Sequence, residues 1–248
     1  MADSEVLFHH LNTYRKASNA KFNKTKTKTI SLSGQSSSAW NLVLKECGFP
    51  VCHDNTKTDA LVYLGFPLSS SMGQLDRFIV RLLDTIQRHC QMHSKRGLSI
   101  RGRATILNVL ILSKLWHILR VIRAAIHKFH SKLRSIITNF LTHRMFLKVS
   151  YQTLCPPRAQ GDVGLLDPIT QQNALQLRWI IPMLEDLDTF PEHILCLVHH
   201  MMTTSKFSAD HRLLLLDPNT RKQNVLSTAS PVSIIYRTMD KLTITYPF

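Results

Sequence analysis

Residues 101–145 read RGRATILNVL ILSKLWHILR VIRAAIHKFH SKLRSIITNF LTHRM, and this stretch decides the fold. Its apolar side chains Ile106, Leu107, Leu110, Trp116 and Leu119 recur at helical intervals, and Phe129, Leu133, Ile136 and Phe140 do the same further on. That spacing is the period of a helix with one face buried. It predicts a helix over 101–123 and another over 129–145, the second carrying Lys128, Lys132, Asn139 and His143 on its polar side. Upstream, Phe78, Ile79, Leu82, Leu83, Ile86 and Cys90 predict a third long helix over 73–96, stopped by Gly97.

The same region is one-signed. From Thr85 to Gly161 there is no aspartate or glutamate, against fourteen Lys/Arg and six histidines, so the window supplies +14 of the net charge of +15. A helical surface of one sign is an electrostatic footprint for a polyanion, and nucleic acid is the commonest. A solvated basic face without a ligand is the alternative. Residues 162–248 hold nine acids against seven Lys/Arg, so the positive charge is not spread evenly.

Composition bounds the class. Hydrophobic content of 44% with charged content of 19% belongs to a folded globular chain. Eight glycines disfavour a Gly-rich nucleotide fold. Five scattered cysteines make no disulfide scaffold and suit a reducing compartment. The start, Met1-Ala2-Asp3-Ser4-Glu5, is acidic, and no apolar secretory core follows. The apolar stretch 104–122 is interrupted by Asn108, Lys114, His117 and Arg120, which reads as a buried helix rather than a membrane span. The expectation is an intracellular protein, nuclear or cytoplasmic.

The ends of the chain are less regular. Leu7, Leu11 and Tyr14 predict a helix over 4–18. Lys and Thr alternate through 24–29, a strand pattern that places Lys24, Lys26 and Lys28 on one face. Ser36 to Ser38 can cap a short helix over 40–46. Residues 60–66 read as a compact apolar strand closed by Pro67. Further helices are expected near 170–185, 191–204 and 231–241, and Pro156-Pro157 with Gly161 reads as a linker. The expected fold class is α+β and predominantly helical.

Four collinear blocks resemble the reverse transcriptase of non-LTR (LINE-type) retrotransposons from the end of the palm onward. Tyr14 to Lys26 (YRKASNAKFNKTK) is similar to the family's Y-x-x-x-S-G-x-x-x-N-x-x-K segment, with Asn19 in place of the glycine. Tyr63-Leu64-Gly65 resembles the Y-L-G primer-grip strand. Leu98 to Ala104 (LSIRGRA) resembles the L-S-x-x-G-R opening of the thumb. Gly161 to Trp179 resembles the G-G-L-G-L segment beyond it, with Asp162 where the second glycine stands. The resemblance implies an incomplete palm-like sheet over 1–70, a helical thumb over 71–155 and a helical connection region over 156–248.

The family's catalysis requires paired Mg²⁺ ions clamped by aspartates from separate palm strands. Those motifs are not in this sequence. Met1-Ala2-Asp3-Ser4 offers one carboxylate, eleven residues before Tyr14 and too close for the intervening strand. The expectation is therefore a reverse-transcriptase fragment that does not polymerise alone and holds no cofactor of its own, Mg²⁺ belonging to the intact family enzyme. Remaining functions are nucleic-acid binding through the backbone, a pseudogene-type remnant, or a host-recruited RNA-binding module. The candidate contacts are Lys95, Arg96, Arg101, Gly102, Arg103, Lys114, Arg120, Lys128 and Lys132, with Lys24, Lys26 and Lys28 as a second patch. Tyr63, Leu64 and Gly65 join them through the resemblance. Gly102, Ala104, Asn108 and Ser113 suit either close approach to a duplex or packing of a helix start capped by Ser99.

No other chemistry is encoded with comparable spacing. Cys47, Cys52-His53 and His89-Cys90 with His93 lack a second compact ligand pair, so no zinc site is expected. Adjacent His199 and His200 point apart on a helix. Trp40, Trp116 and Trp179 are expected in the core rather than as base-stacking platforms.

Overall fold

The computed structural model describes residues 2–20, 23, 26–50, 52–120, 126–143, 145, 149–204, 210–221 and 231–241. It is mostly helical, with one small antiparallel sheet, which agrees with the expected α+β class. Two compact units divide inside a long helix, between Leu82 and Leu83.

The first unit opens with α1 (Ala2–Ser18), whose chain exits through Asn19 at φ 53. Asparagine tolerates that left-handed conformation better than most side chains. The ring of Phe8 stacks on Phe49, centroids 5.5 Å apart. The Lys/Thr alternation does not make a strand among the described residues. Lys26 and Thr27 instead donate their backbone N–H groups to Asn23 O, closing a turn, and only Ile30 pairs, in a single parallel bridge with His53. One bridge gives too few ladder bonds to hold an extended run. Helix α2 (Ser38–Glu46) forms where expected, with Ser37 accepting from Trp40 N. Trp40 itself is 49% exposed, not in the core.

The apolar run 60–66 is not one strand. It is half of a hairpin, β1 (Leu61–Tyr63) and β2 (Phe66–Leu68), paired Leu61↔Leu68, Val62↔Pro67 and Tyr63↔Phe66. The two residues between carry φ 50 (Leu64) and φ 85 (Gly65). Positive φ at both central positions is the type I′ turn that matches strand twist. Buried Gln74 ties together the segments on either side of the hairpin. Its Nε2 donates to Asp54 O (2.7 Å) and Lys57 O (2.9 Å), and its Oε1 accepts from Ser70 N (2.7 Å).

Helix α3 (Met72–Ser94) follows the predicted stripe and carries the division between the units. In the second unit, the predicted helix over 101–123 is α4 (Ile100–Ile106), a π segment (Leu107–Ile111) and α5 (Ser113–Leu119). Leu112 N bonds Leu107 O at 2.7 Å, five residues back. The wider turn lets consecutive Ile111 and Leu112 both reach the core (1% and 0% exposed) and turns Leu110 outward (49%), against the expected stripe. Residues 121–125, at the end of that predicted helix, lie outside the described residues.

Helix α6 (Ile126–Leu141) packs on α4 and buries Phe129, Leu133, Ile137 and Phe140. Each such side chain removed from water contributes about 1.5–3 kcal/mol before entropy is counted. A short helix α7 (Tyr151–Leu154) precedes the Pro-Pro loop. That loop is stitched in place: Leu165 N bonds Leu154 O, and both ends of the Asn108 amide hold it, Nδ2 to Gly164 O (2.8 Å) and Oδ1 from Leu166 N (3.1 Å).

Helix α8 (Pro168–Leu177) starts with Pro168 in its first turn and Asp167 as N-cap. The predicted helix over 170–185 breaks at Arg178-Trp179, giving α9 (Ile180–Glu185). Helices α10 (Glu192–Thr204), α11 (His211–Leu216) and α12 (Pro231–Met239) bury Val198, Leu214, Leu215, Val232 and Ile235 in a second core with Met183. Helix α11 was not foreseen, since HRLLLL is too short to show a period. No described helix is long and apolar enough to cross a membrane.

Candidate nucleic-acid interface

The cationic residues of the second unit divide by what already occupies them. Arg103 is the clearest departure from the sequence reading: it is 8% exposed, and its Nη1 donates to Leu141 O (3.1 Å) and His143 O (2.7 Å), with Phe140 O at 3.5 Å. Leu141 ends α6 and His143 lies in the turn just beyond it, where helix geometry supplies no further donors for the carbonyls. A cation there also complements the negative helix end. Arg103 therefore caps a helix and is withdrawn from any ligand.

Its neighbours follow the packing alternative more than the approach alternative. Ser99 accepts from Gly102 N (3.2 Å) and caps α4, and a side chain added at Gly102 would meet only ordinary contacts. Ala104 is fully buried and Asn108 holds the loop, while Ser113 is exposed. Arg101 is exposed, with Nη2 donating to Gly161 O at 2.9 Å.

The other candidates are open. Lys95 and Arg96 are exposed just after α3, Lys114 and Arg120 on and after α5, and Lys132 on α6. Among the described residues, the ion pair Arg134–Asp167 (3.0 Å) is the one carboxylate contact made by an arginine or lysine of the 85–161 window. Lys26 and Lys28 are exposed in the first unit. Lys24 lies outside the described residues, and Lys128 outside those whose side chains are described. Tyr63 and Leu64 stand out at the hairpin tip, 62% and 77% exposed, with Gly65 completing the turn.

Two clusters show which cations the fold brings near one another. Burial lowers the His89 pKa, and the charges of Lys114, Arg88 and His93 lower it further, so α3 and α5 present like charges side by side. Burial also lowers Arg178, helped by Arg120, and its guanidinium lies 4.4 Å from the centre of the Trp179 ring. Arg88 and Arg178 were not among the sequence candidates. Arg88 could have been found from its place on the polar side of the α3 stripe. Arg178 lies in the acidic last third of the chain, where the charge pattern did not single it out, although it falls within the Gly161 to Trp179 block.

One cation of the window is held in an anchoring cluster. Asp167 accepts from Arg134 and from Thr170 N (3.0 Å). Burial pushes its carboxyl up, but these two partners outweigh it, and it titrates below the usual carboxylate range. Arg134 also lies 5.0 Å from the Tyr151 ring centre, and burial pushes that phenol well above its ordinary value. Among the described residues, no group of three His, Cys, Asp or Glu converges as a metal site. No protein-family model matches the chain, and no curated protein matches it in sequence.

Proposed function

We propose that this chain is a C-terminal portion of a non-LTR-type reverse transcriptase that binds nucleic acid through the helices α3 to α6, in the role of a thumb. The observation that carries the reading is the acid-free window: among the described residues, its exposed Lys95, Arg96, Lys114, Arg120 and Lys132 meet no carboxylate to neutralise them. Such charges bind phosphates by releasing counterions, with little regard to sequence. The hairpin tip at Tyr63-Leu64-Gly65 supports the primer-grip comparison, since a positive-φ turn projects those residues outward. The 248 residues contain no aspartate pair of the polymerase type, so the chain alone does not extend a primer.

The test is a titration of the chain with an RNA–DNA hybrid at rising salt. If about five phosphates are neutralised, the log–log slope is about −4.5 and affinity falls about 500-fold between 50 and 200 mM. Replacing Lys95 and Arg96 by alanine lowers the slope by up to about two. A slope near zero overturns the proposal, as does templated incorporation with Mg²⁺ or Mn²⁺ for the inactive-polymerase part.

A further inference from the structure

A groove of about 200 Å³ lies between the second half of α3 and α6. From α3 come Gln87, Cys90, Gln91 and Ser94, spaced so that all four share one helix face. The other wall repeats that spacing with Ile136, Asn139 and Phe140 of α6 and His143 of the turn after it. The floor is apolar: Cys90 and Phe140 are 4% and 3% exposed. The rim is formed by amides. Gln87, Gln91 and Asn139 are exposed, and among the described residues none of the three has a hydrogen-bond partner for its side chain.

Two packed helices ordinarily close such a seam with apolar side chains. Here three unpaired amides stand over an apolar floor, which suits a flat ligand with a donor and an acceptor on one edge. A side-chain amide offers the matching pair, and this is how Asn and Gln read a base edge. The volume lies below the range of about 300 Å³ at which drug-sized ligands are held, so one heterocycle fits and a dinucleotide does not. No lysine, arginine or carboxylate lines the groove, which disfavours phosphate or a cation as the occupant. Lys95 and Arg96 directly follow Ser94 where α3 ends, and both are exposed, so two cations stand at that end of the groove.

We propose that this groove receives one unpaired nucleobase of a bound single strand, read at its edge by Gln91 and Asn139, with the flanking phosphates on Lys95 and Arg96. The assignment rests on the nucleic-acid-binding reading above. Unstacked bases of single strands are the usual targets of edge recognition in RNA.

The experiment compares the full chain with Gln91→Leu/Asn139→Leu, both exposed positions at which leucine removes the donors and acceptors but keeps bulk. The probes are a short single-stranded RNA and a sugar–phosphate strand of equal length without bases. The expected result is about tenfold tighter binding of the RNA by the unaltered chain, the discrimination of one good amide–base pair. The double variant should bind both strands alike, with its thermal midpoint and salt slope unchanged. An undiminished base preference in the variant overturns the groove assignment. Equal affinity of the unaltered chain for both strands, with a steep salt slope, also overturns it and leaves the nucleic-acid reading standing. Failure of both strands to bind at low salt overturns both. Competition by the free nucleoside as strong as by the RNA overturns the strand as the source of the base.

Discussion

Replacing Arg103 by alanine separates a structural cation from a binding one. Its guanidinium reaches three carbonyls at the end of α6, two of them within 3.1 Å, and the side chain is almost fully enclosed. Alanine leaves the Leu141 and His143 carbonyls without that donor in a largely buried setting, each unsatisfied group costing about 1–3 kcal/mol. Counting only the two closer bonds, the loss is about 2–6 kcal/mol. For a chain of this size, that is about 4–24 °C in thermal midpoint. Arg103→Met should lose nearly as much, since it keeps the packing and removes the donors. Arg101→Ala removes one exposed bond to Gly161 O and should stay within about 1 kcal/mol of the original. Urea unfolding of the three variants decides the matter. Under conditions where all remain folded, Arg103→Ala should retain the salt slope of nucleic-acid binding. An Arg103→Ala protein as stable as Arg101→Ala, or one that loses a unit of salt slope while folded, refutes the capping argument.

Leu64 holds φ 50 with a side chain that gains little from burial, so Leu64→Gly should stabilise the hairpin by about 1 kcal/mol in urea unfolding; a loss of stability would show that Leu64 makes contacts worth more than its strain. The lowered pKa of Asp167 means the folded state binds fewer protons than the unfolded state between the two values. Its stabilisation is complete above the ordinary carboxylate pKa and fades as pH falls through the folded value. Asp167→Asn should therefore flatten the acid limb of a stability–pH curve, and an unchanged limb would remove Asp167 from that role. Burial pushes the Cys90 thiol up to about 12, whereas Cys196 is exposed. A thiol reagent near neutral pH should accordingly label Cys196 in the folded protein and Cys90 only after unfolding, as mass spectrometry of the labelled peptides would read.

The sequence by itself determined the helices and the sign of the surface. A long helix repeats its apolar positions many times, so α3, the 100–119 region and α6 were visible from local spacing alone. Charge needs no fold to be counted, and the acid-free window was plain in the residue order. Capping was equally local: Ser37, Ser99 and Asn19 act within a few residues of themselves. Only the tertiary structure decided which positive charges are free. Arg101 and Arg103 are two residues apart and chemically the same, yet one faces solvent and the other closes a helix that ends about forty residues later. That choice depends on where α6 stops relative to α4, a distance no sequence interval records. The π turn at Leu107–Ile111 is of the same kind, because demand from the core on Ile111 and Leu112 overrode the regular period and sent Leu110 outward. So is the hairpin at residues 61–68: pairing across a two-residue turn converted an apparent single strand into two. Short segments obey their partners, and those partners become adjacent only when the chain has folded.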